Sequence, residues 1–210
     1  MGGITLSITL IIIIITSIIS IIAMQSGTLL ELLLNKPYRV KHNKEVWRLL
    51  TSGFIHGGWL HLIFNMFVLY FFGRNTEVGF AQIFGSQSAV IFILFYLIAI
   101  VVSDFPTFLK HKDNPRYGSL GASGATSAVL YSSILMFPAE TIYLYGIPIA
   151  APLFAILYIA YTIYMGRRGG DNINHSAHLW GALFGLAFPL AFNPSLGPQF
   201  FESIKNLIGF

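Results

Sequence analysis

Long apolar stretches separated by short polar ones are the dominant pattern of this 210-residue chain. An α-helix needs about 20 apolar residues to cross the hydrocarbon core of a bilayer. Because six stretches come close to that length, the pattern predicts six membrane-spanning helices, at about 4–24, 55–73, 86–103, 119–137, 146–165 and 177–192. The first has no basic region before its long run of isoleucines, so we interpret it as a retained span and not as a cleaved signal peptide.

The composition supports an all-α polytopic membrane protein. Hydrophobic residues make up 55% of the chain, charged residues 10%, and the mean hydropathy is +0.73. No stretch suggests a soluble domain, so residues 1–210 are predicted to form a single membrane-embedded domain. The chain has no cysteine, which excludes disulfides, thiol nucleophiles and thiolate metal sites. The net charge of +4 is small and the basic residues are scattered through loops, so nucleic acid is not an expected partner.

Polar residues within the apolar spans are candidates for function, because burying them in a membrane is costly. The second span contains "HGGWLHLIFNMF", in which His61 and Asn65 lie four residues apart on one helix face, with His56 nearer the surface. The fourth span begins near Ser123, and the sixth begins near His178. These three groups are the candidate site.

The order of the spans predicts that the three groups meet. Spans two, four and six all start from odd-numbered loops, so their first turns lie on the same side of the membrane. Small residues four apart allow helices in a membrane to approach closely. Such seams occur on spans six and four, as Ala177, Gly181 and Gly185, and as the pairs Gly121 with Ala125 and Gly124 with Ala128. Close packing of these seams would bring Ser123 toward His178.

A serine beside a neutral histidine suggests nucleophilic catalysis, because the imidazole can take the hydroxyl proton. His61, Asn65 and the backbone N–H groups at the Ser123 helix start could then donate hydrogen bonds to the oxyanion of an acyl-transfer intermediate. We expect a Ser-His dyad and not a triad, since the aspartates all fall in predicted loops: Asp104, Asp113 and Asp171.

With these motifs the chain resembles the rhomboid family of intramembrane serine proteases. The similarity covers about residues 45–190 and rests on four motifs in the family's order. They are H-x4-H-x3-N through His56, His61 and Asn65; G-x-S-G through Gly121, Ser123 and Gly124; A-H-x2-G-x3-G through His178, Gly181 and Gly185; and the W-R pair Trp47 and Arg48 in the first loop.

The resemblance implies a six-transmembrane-helix bundle of bacterial type that needs no cofactor or metal. It implies Ser123 as nucleophile, His178 as base and acid, and His61, Asn65 and the Ser123 backbone as the oxyanion hole. The expected substrates are single-span membrane proteins, cut in or near the span within the lipid bilayer. Some family members carry an aromatic residue four positions after the nucleophile that stacks on the catalytic histidine, whereas this chain has Ser127.

The sequence leaves two other functions open. A metal-dependent membrane protein could use His56, His61, His175 and His178, but no H-E-x-x-H motif is present, and the acidic residue nearest to completing a site is Glu77, at a predicted helix end. His175 is instead expected in solvent on its loop. An inactive rhomboid relative that binds membrane clients would normally lack the serine or the histidine, and both are present here.

The loops suggest a gate but give conflicting signals about orientation. The glycine-rich loop 166–176 is a candidate lid, with the fifth span as a lateral gate. The resemblance implies cytoplasmic termini in a bacterial cell membrane, with the active site opening to the extracytoplasmic side. The positive-inside rule predicts the reverse, because Arg74 and Lys205 lie on the side of the termini and ten basic residues lie on the other: Lys36, Arg39, Lys41, Lys44, Arg48, Lys110, Lys112, Arg116, Arg167 and Arg168.

Overall fold

The computed structural model describes residues 7–144 and 146–209. This part of the chain forms ten α-helices and one β-hairpin. The helices are α1 Ile8–Gln25, α2 Gly27–Leu33, α3 Pro37–His42, α4 Arg48–Thr51, α5 Trp59–Phe84, α6 Ser88–His111, α7 Ser123–Met136, α8 Ala151–Arg168, α9 His175–Phe192 and α10 Leu196–Ile208. The hairpin pairs β1, Thr141–Leu144, antiparallel with β2, Ile147–Ala150, between α7 and α8.

Each predicted span overlaps one of the six longest helices of the described chain, although several boundaries differ. Helix α5 continues well past residue 73, because polar side chains in its second half find partners inside the fold. The Thr76 hydroxyl lies 3.0 Å from the carbonyl oxygen of Val129, and Glu77 accepts a hydrogen bond from the Thr9 N–H at 2.7 Å. Glu77 is therefore inside a helix and not at a helix end. Helix α8 begins only at Ala151, because the residues before it pair in the hairpin.

The outer surface of the bundle is strongly apolar. Two segments of the described chain, Ile8–Gln25 and Trp59–His111, are long and apolar enough to cross a membrane, and the second contains both α5 and α6. Large apolar side chains are exposed on several helices, among them Ile14, Ile18, Phe67, Val90, Leu94 and Leu157. An apolar surface of this extent is unusual for a protein in water and suits contact with lipid.

Helix α7 lies at the centre of the bundle, packed against α5, α6 and α9. Every residue from Gly124 to Met136 is buried, although the helix has only 14 residues. A helix enclosed on all sides can be apolar around its whole circumference. Phenylalanine rings in contact with one another join α5, α6 and α9 at the end away from Ser123: Phe80, Phe95, Phe184 and Phe188. A packed aromatic core thus holds these three helices together at the end of the bundle opposite Ser123.

The first long loop is held together by the buried Arg48, which is 1% exposed. Its guanidinium donates to the carbonyl oxygens of Glu31 and Leu34, at 2.7 and 2.8 Å, and pairs with Glu45. The hydrogen bond from Arg48 lowers the pKa of the Glu45 carboxyl. Trp47 is 48% exposed beside it. Arg48 therefore stabilises the loop from within, whereas Trp47 lies at its surface.

Candidate active site

Ser123 is the first residue of α7, so the turn before it fixes its position. In that turn Gly121 has a φ of +117°, which glycine adopts readily and other residues rarely do. A Cβ at Gly121 would also lie 2.6 Å from Cε1 of His61. The Gly121 N–H donates to the carbonyl oxygen of Ser52 at 2.9 Å. Both the backbone conformation and the adjacent imidazole therefore require glycine at position 121.

Helices α7 and α9 are in close contact through the glycines predicted to form a seam. A Cβ on Gly181 would lie against the backbone of Gly124, 2.8 Å from its carbonyl carbon. A Cβ on Gly185 would lie 2.7 Å from the Cα of Ala128. The two helices can approach this closely only because Gly181 and Gly185 have no side chain. Since His178 precedes Gly181 by three residues, this packing brings it beside the start of α7.

The four residues predicted to carry out the chemistry, Ser123, His178, His61 and Asn65, line a single open cavity of about 1270 Å³. Helices α5 and α8 contribute apolar walls through Phe64, Val68 and Phe154. Within residues 7–144 and 146–209, no hydrogen bond joins the Ser123 hydroxyl to His178. Hydrogen bonds between catalytic groups are often long before a substrate binds. The cavity thus brings the predicted nucleophile and base together without a direct bond between them.

Asn65, which lines this cavity, is held by two hydrogen bonds. Its Nδ2 donates to the carbonyl oxygen of His61 at 2.8 Å, and its Oδ1 lies 3.0 Å from the Thr126 hydroxyl. Thr126 is one turn after Ser123 on α7. The side chain of Asn65 is therefore fixed both by its own helix and by the helix that carries the predicted nucleophile. Sequence reasoning missed Thr126, whose only signal was a hydroxyl within an apolar span.

His56 is fully buried and connects α1 to the turn before Ser123. Its Nε2 accepts a hydrogen bond from the Ala122 N–H at 3.3 Å, and its Nδ1 lies 2.8 Å from the Ser20 hydroxyl oxygen. A neutral imidazole that accepts at one nitrogen donates from the other. His56 therefore carries its proton on Nδ1 and donates a hydrogen bond from there to the Ser20 hydroxyl. Its contact with the chain near Ser123 is with the backbone N–H of Ala122.

Tyr158 of α8 contacts His178 and was not identified from the sequence. Its hydroxyl lies 3.2 Å from His178 Nδ1, and the two rings stack with centroids 6.4 Å apart and planes 20° apart. An aromatic residue is absent from position 127, where some rhomboids have one, so here the stacking partner comes from a different helix. The only signal in the sequence was a tyrosine within an apolar span, and such a tyrosine does not indicate that His178 is its partner.

A buried polar cluster centred on Asp104 ties together the segments around the cavity. Asp104 was expected in a loop but lies inside α6, where Asn35, Ser119 and Asn174 donate to its carboxylate. The loop prediction was wrong because α6 continues to His111, past the end of the apolar stretch. Asn174 also caps α9 by accepting from the Ala177 N–H at 3.1 Å. The cluster therefore fixes the start of the His178 helix relative to the chain before Ser123.

The expectation for His175 was also wrong. It is the first residue of α9 and is buried, because α9 begins before the predicted start of the sixth span. Its Nε2 lies 3.0 Å from the Asp171 carboxylate, and this hydrogen bond lowers the pKa of Asp171. Asp171 belongs to the glycine-rich loop between α8 and α9, which lines the cavity from 171 to 174. The predicted lid thus borders the cavity and is attached to α9.

The described residues offer no ligand set for the metal-dependent alternative. In this part of the chain, no three His, Cys, Asp or Glu side chains are grouped so that they could hold a metal ion. The four histidines of that hypothesis form two separate pairs. The ring centroids are 4.9 Å apart for His56 and His61, and 6.0 Å apart for His175 and His178.

Comparison with known proteins gives one family. A family model described as the rhomboid domain matches residues 43–194. The chain is 35% identical over 145 residues to "RHOMBOID-like protein 12, mitochondrial" of Arabidopsis thaliana, which covers 64% of this chain and 43% of that protein. It is 32% identical over 143 residues to "Presenilin-associated rhomboid-like protein, mitochondrial" of Homo sapiens, covering 66% and 36%.

A third relative, "Rhomboid-like protein 16, chloroplastic" of Arabidopsis thaliana, is 31% identical over 119 residues, covering 52% of this chain and 37% of that protein. In each case the matched region spans less than half of the relative's length. The names of these relatives place them in organelles, not in a bacterial membrane.

Proposed function

The chain belongs to the rhomboid family and is an integral membrane protein with an all-α bundle, and on that basis we propose that it is an intramembrane serine endopeptidase. The single observation that carries the proposal is the shared cavity lined by Ser123, His178, His61 and Asn65. The helices that carry these side chains are held against one another by the glycine seam, the Asp104 cluster and the Thr126 contact.

In the proposed reaction Ser123 is the nucleophile and His178 is the base. The Ser123 oxygen attacks the carbonyl carbon of the substrate peptide bond while its proton passes to Nε2 of His178. The protonated His178 then gives that proton to the leaving amine nitrogen as the C–N bond breaks. A water molecule, deprotonated by the same imidazole, hydrolyses the acyl-enzyme and regenerates Ser123.

Stabilisation of the oxyanion is assigned to His61, Asn65 and the backbone N–H of Ser123. The developing negative charge at the start of α7 also faces the positive end of that helix. Asn65 Nδ2 donates to the His61 carbonyl oxygen in the absence of substrate. The amide therefore has a second donor hydrogen available for the oxyanion.

We propose that substrates are single-span membrane proteins that enter between α5 and α8. The cavity has apolar walls from these two helices, which suits a segment arriving from lipid. A protease acts on extended backbone, so the substrate segment must unwind before Ser123 can reach it. Of the candidate lid 166–176, residues 169–174 form the loop between α8 and α9. This loop has left-handed glycines at 169 and 170, and its residues 171–174 border the same cavity.

The proposed orientation places the catalytic end of the bundle on the side opposite the two termini. We propose that the active site opens to the extracytoplasmic side. The relatives compared are organellar and do not support the bacterial membrane that the resemblance implied. Reporter fusions at the C-terminus test it. Fluorescence of a fused fluorescent protein is expected, and an active fused alkaline phosphatase would instead support the charge-based orientation.

Client binding without cleavage is the second candidate. It is compatible with one observation, the absence of a hydrogen bond between Ser123 and His178 in the described part of the chain, which a protease without substrate can also show. A protein of this kind would hold a membrane client in the cavity but would not react at Ser123.

Labelling with a fluorophosphonate separates the two candidates. The protease is expected to be labelled at Ser123, and both Ser123→Ala and His178→Ala should abolish labelling and cleavage of a single-span substrate. Because nucleophile and base act as a unit, the double variant should be no worse than either single variant. Ser176→Ala and His42→Ala, which change exposed residues, are the matched controls. Full activity in either dyad variant would exclude the proposed mechanism.

A further inference from the structure

The support of His178 comes from α8, a wall of the proposed substrate entrance. Within the described residues, the Tyr158 hydroxyl is the hydrogen-bond partner of the His178 ring, at 3.2 Å from Nδ1. The Tyr158 ring also stacks on the imidazole, with a 20° angle between the planes. Both side chains line the cavity. Tyr158 therefore limits both the tilt of the His178 imidazole and the hydrogen bonding of its Nδ1.

We propose that Tyr158 is the positioning residue for His178, an inference that rests on the proposed protease function. To take a proton from Ser123, neutral His178 must have its lone pair on Nε2 and its proton on Nδ1. The Tyr158 oxygen accepts a hydrogen bond from that Nδ1–H and so favours the tautomer that can act as a base. The stacked ring limits the tilt of the imidazole, and with Nδ1 bonded to Tyr158 the nitrogen left for Ser123 is Nε2.

Other groups near His178 do not supply this support. The His175 ring meets the His178 ring edge-on at a centroid distance of 6.0 Å, and its Nε2 is occupied by Asp171. Ser127, the α7 residue one turn below Ser123, is too short to cover the imidazole face. Because the support comes from α8, His178 is held in this geometry only while α8 keeps its position. Widening the cleft between α5 and α8 would therefore withdraw the support of the base.

The first test uses fluorophosphonate labelling, which needs the dyad but not entry of a membrane substrate. Tyr158→Phe keeps the stacked ring and removes the hydroxyl, and we expect its labelling rate to fall about fivefold, the loss for one net hydrogen bond. Tyr158→Leu removes both contacts and should be slower still. Tyr164→Phe is the matched control, because Tyr164 is on the same helix and is 59% exposed; its rate should equal that of the wild type.

With a membrane substrate, Tyr158→Phe is expected to lower kcat and leave KM unchanged, because the hydroxyl acts on the base and not on binding. A raised KM with an unchanged kcat would show that Tyr158 only shapes the entrance and would overturn the proposal. So would a labelling rate in Tyr158→Phe equal to that of the wild type.

A second measurement needs no variant at position 158. In wild-type protein labelled with 15N-histidine, the NMR spectrum of neutral His178, assigned by its loss in His178→Ala, should place the proton on Nδ1. A proton on Nε2 would mean that Tyr158 donates to Nδ1 and would overturn the proposal while leaving Ser123 labelling intact. If the wild type is not labelled at Ser123 at all, the protease function itself fails, and this inference with it.

Discussion

The substitution Gly181→Ala tests whether backbone contact between α7 and α9 creates the site. A Cβ at this position would lie 2.8 Å from the carbonyl carbon and 3.1 Å from the Cα of Gly124, the residue after Ser123. The nearest atom is the Gly124 carbonyl oxygen, which is closer still, so the two helices must separate locally by about 1 Å or more to reach ordinary van der Waals contact. Overpacking of this kind typically costs about 1–3 kcal/mol of stability.

We expect Gly181→Ala to slow the reaction at Ser123 by more than its loss of stability alone would. A displacement of about 1 Å at a reacting group can lower the rate on the order of 100-fold. We therefore expect Gly181→Ala to be labelled by a fluorophosphonate about 10- to 100-fold more slowly than the wild type, as the distance from His178 to Ser123 grows. The assay is the labelling rate, measured together with thermal unfolding in the same detergent.

Two further glycines give matched comparisons. Gly197→Ala on α10 should change neither the rate nor the melting temperature, since its nearest neighbour would be Leu190 Cδ2 at 3.6 Å. Gly185→Ala should destabilise the protein to a similar degree as Gly181→Ala but slow labelling less, because its contact with Ala128 lies farther from Ser123. Wild-type rate and stability in Gly181→Ala would refute the argument that glycine at this position sets the helix separation.

Three other predictions concern the oxyanion hole, the buried carboxylate and the entrance. Asn65→Ala should lower kcat by roughly 10²–10³ yet leave measurable cleavage, because other donors remain; Asn75→Ala, elsewhere on α5, should have no effect, and equal activity of the two variants would exclude Asn65 as a donor. Asp104→Ala removes an acceptor shared by Asn35, Ser119 and Asn174, of which Asn35 is fully buried, and should lower stability by about 1–3 kcal/mol; an unchanged melting temperature would argue against the cluster. Since the chain has no native cysteine, joining Val68→Cys to Phe154→Cys with a bifunctional thiol reagent that spans the cavity should block cleavage of a membrane substrate; undiminished cleavage by the cross-linked protein would mean that substrates enter elsewhere.

The helical class and the membrane location were predictable because they depend on properties that are local in sequence. Hydropathy averaged along the chain identified all six long helices, and the relation to rhomboids confirmed the all-α class. The helix ends were predicted less well, because they depend on contacts distant in sequence. Glu77 lies inside α5 because it accepts hydrogen bonds from the start of α1. The start of α8 depends on pairing between two short strands.

The grouping of candidate residues was also predictable, since motif spacing places His61 with Asn65 on one helix face and small residues in two seams. The structure brings Ser123, His178, His61 and Asn65 to one cavity, while their catalytic roles remain predictions to be tested at Ser123. Sequence reasoning misplaced His175 and Asp104, because burial of a polar side chain depends on which partners the tertiary structure brings to it.

The sequence by itself determined which segments are helical and apolar, and which small residues would allow α7 and α9 to touch, because side-chain size and hydropathy belong to each residue separately. Only the tertiary structure decided that Tyr158 contacts His178, 20 residues away, and that Asp104 binds Asn174, 70 residues away. Neither contact has a spacing signature, because each joins side chains on different elements whose relative position is set by packing. The residues that hold the candidate base in place are therefore specified by the fold and not by a motif.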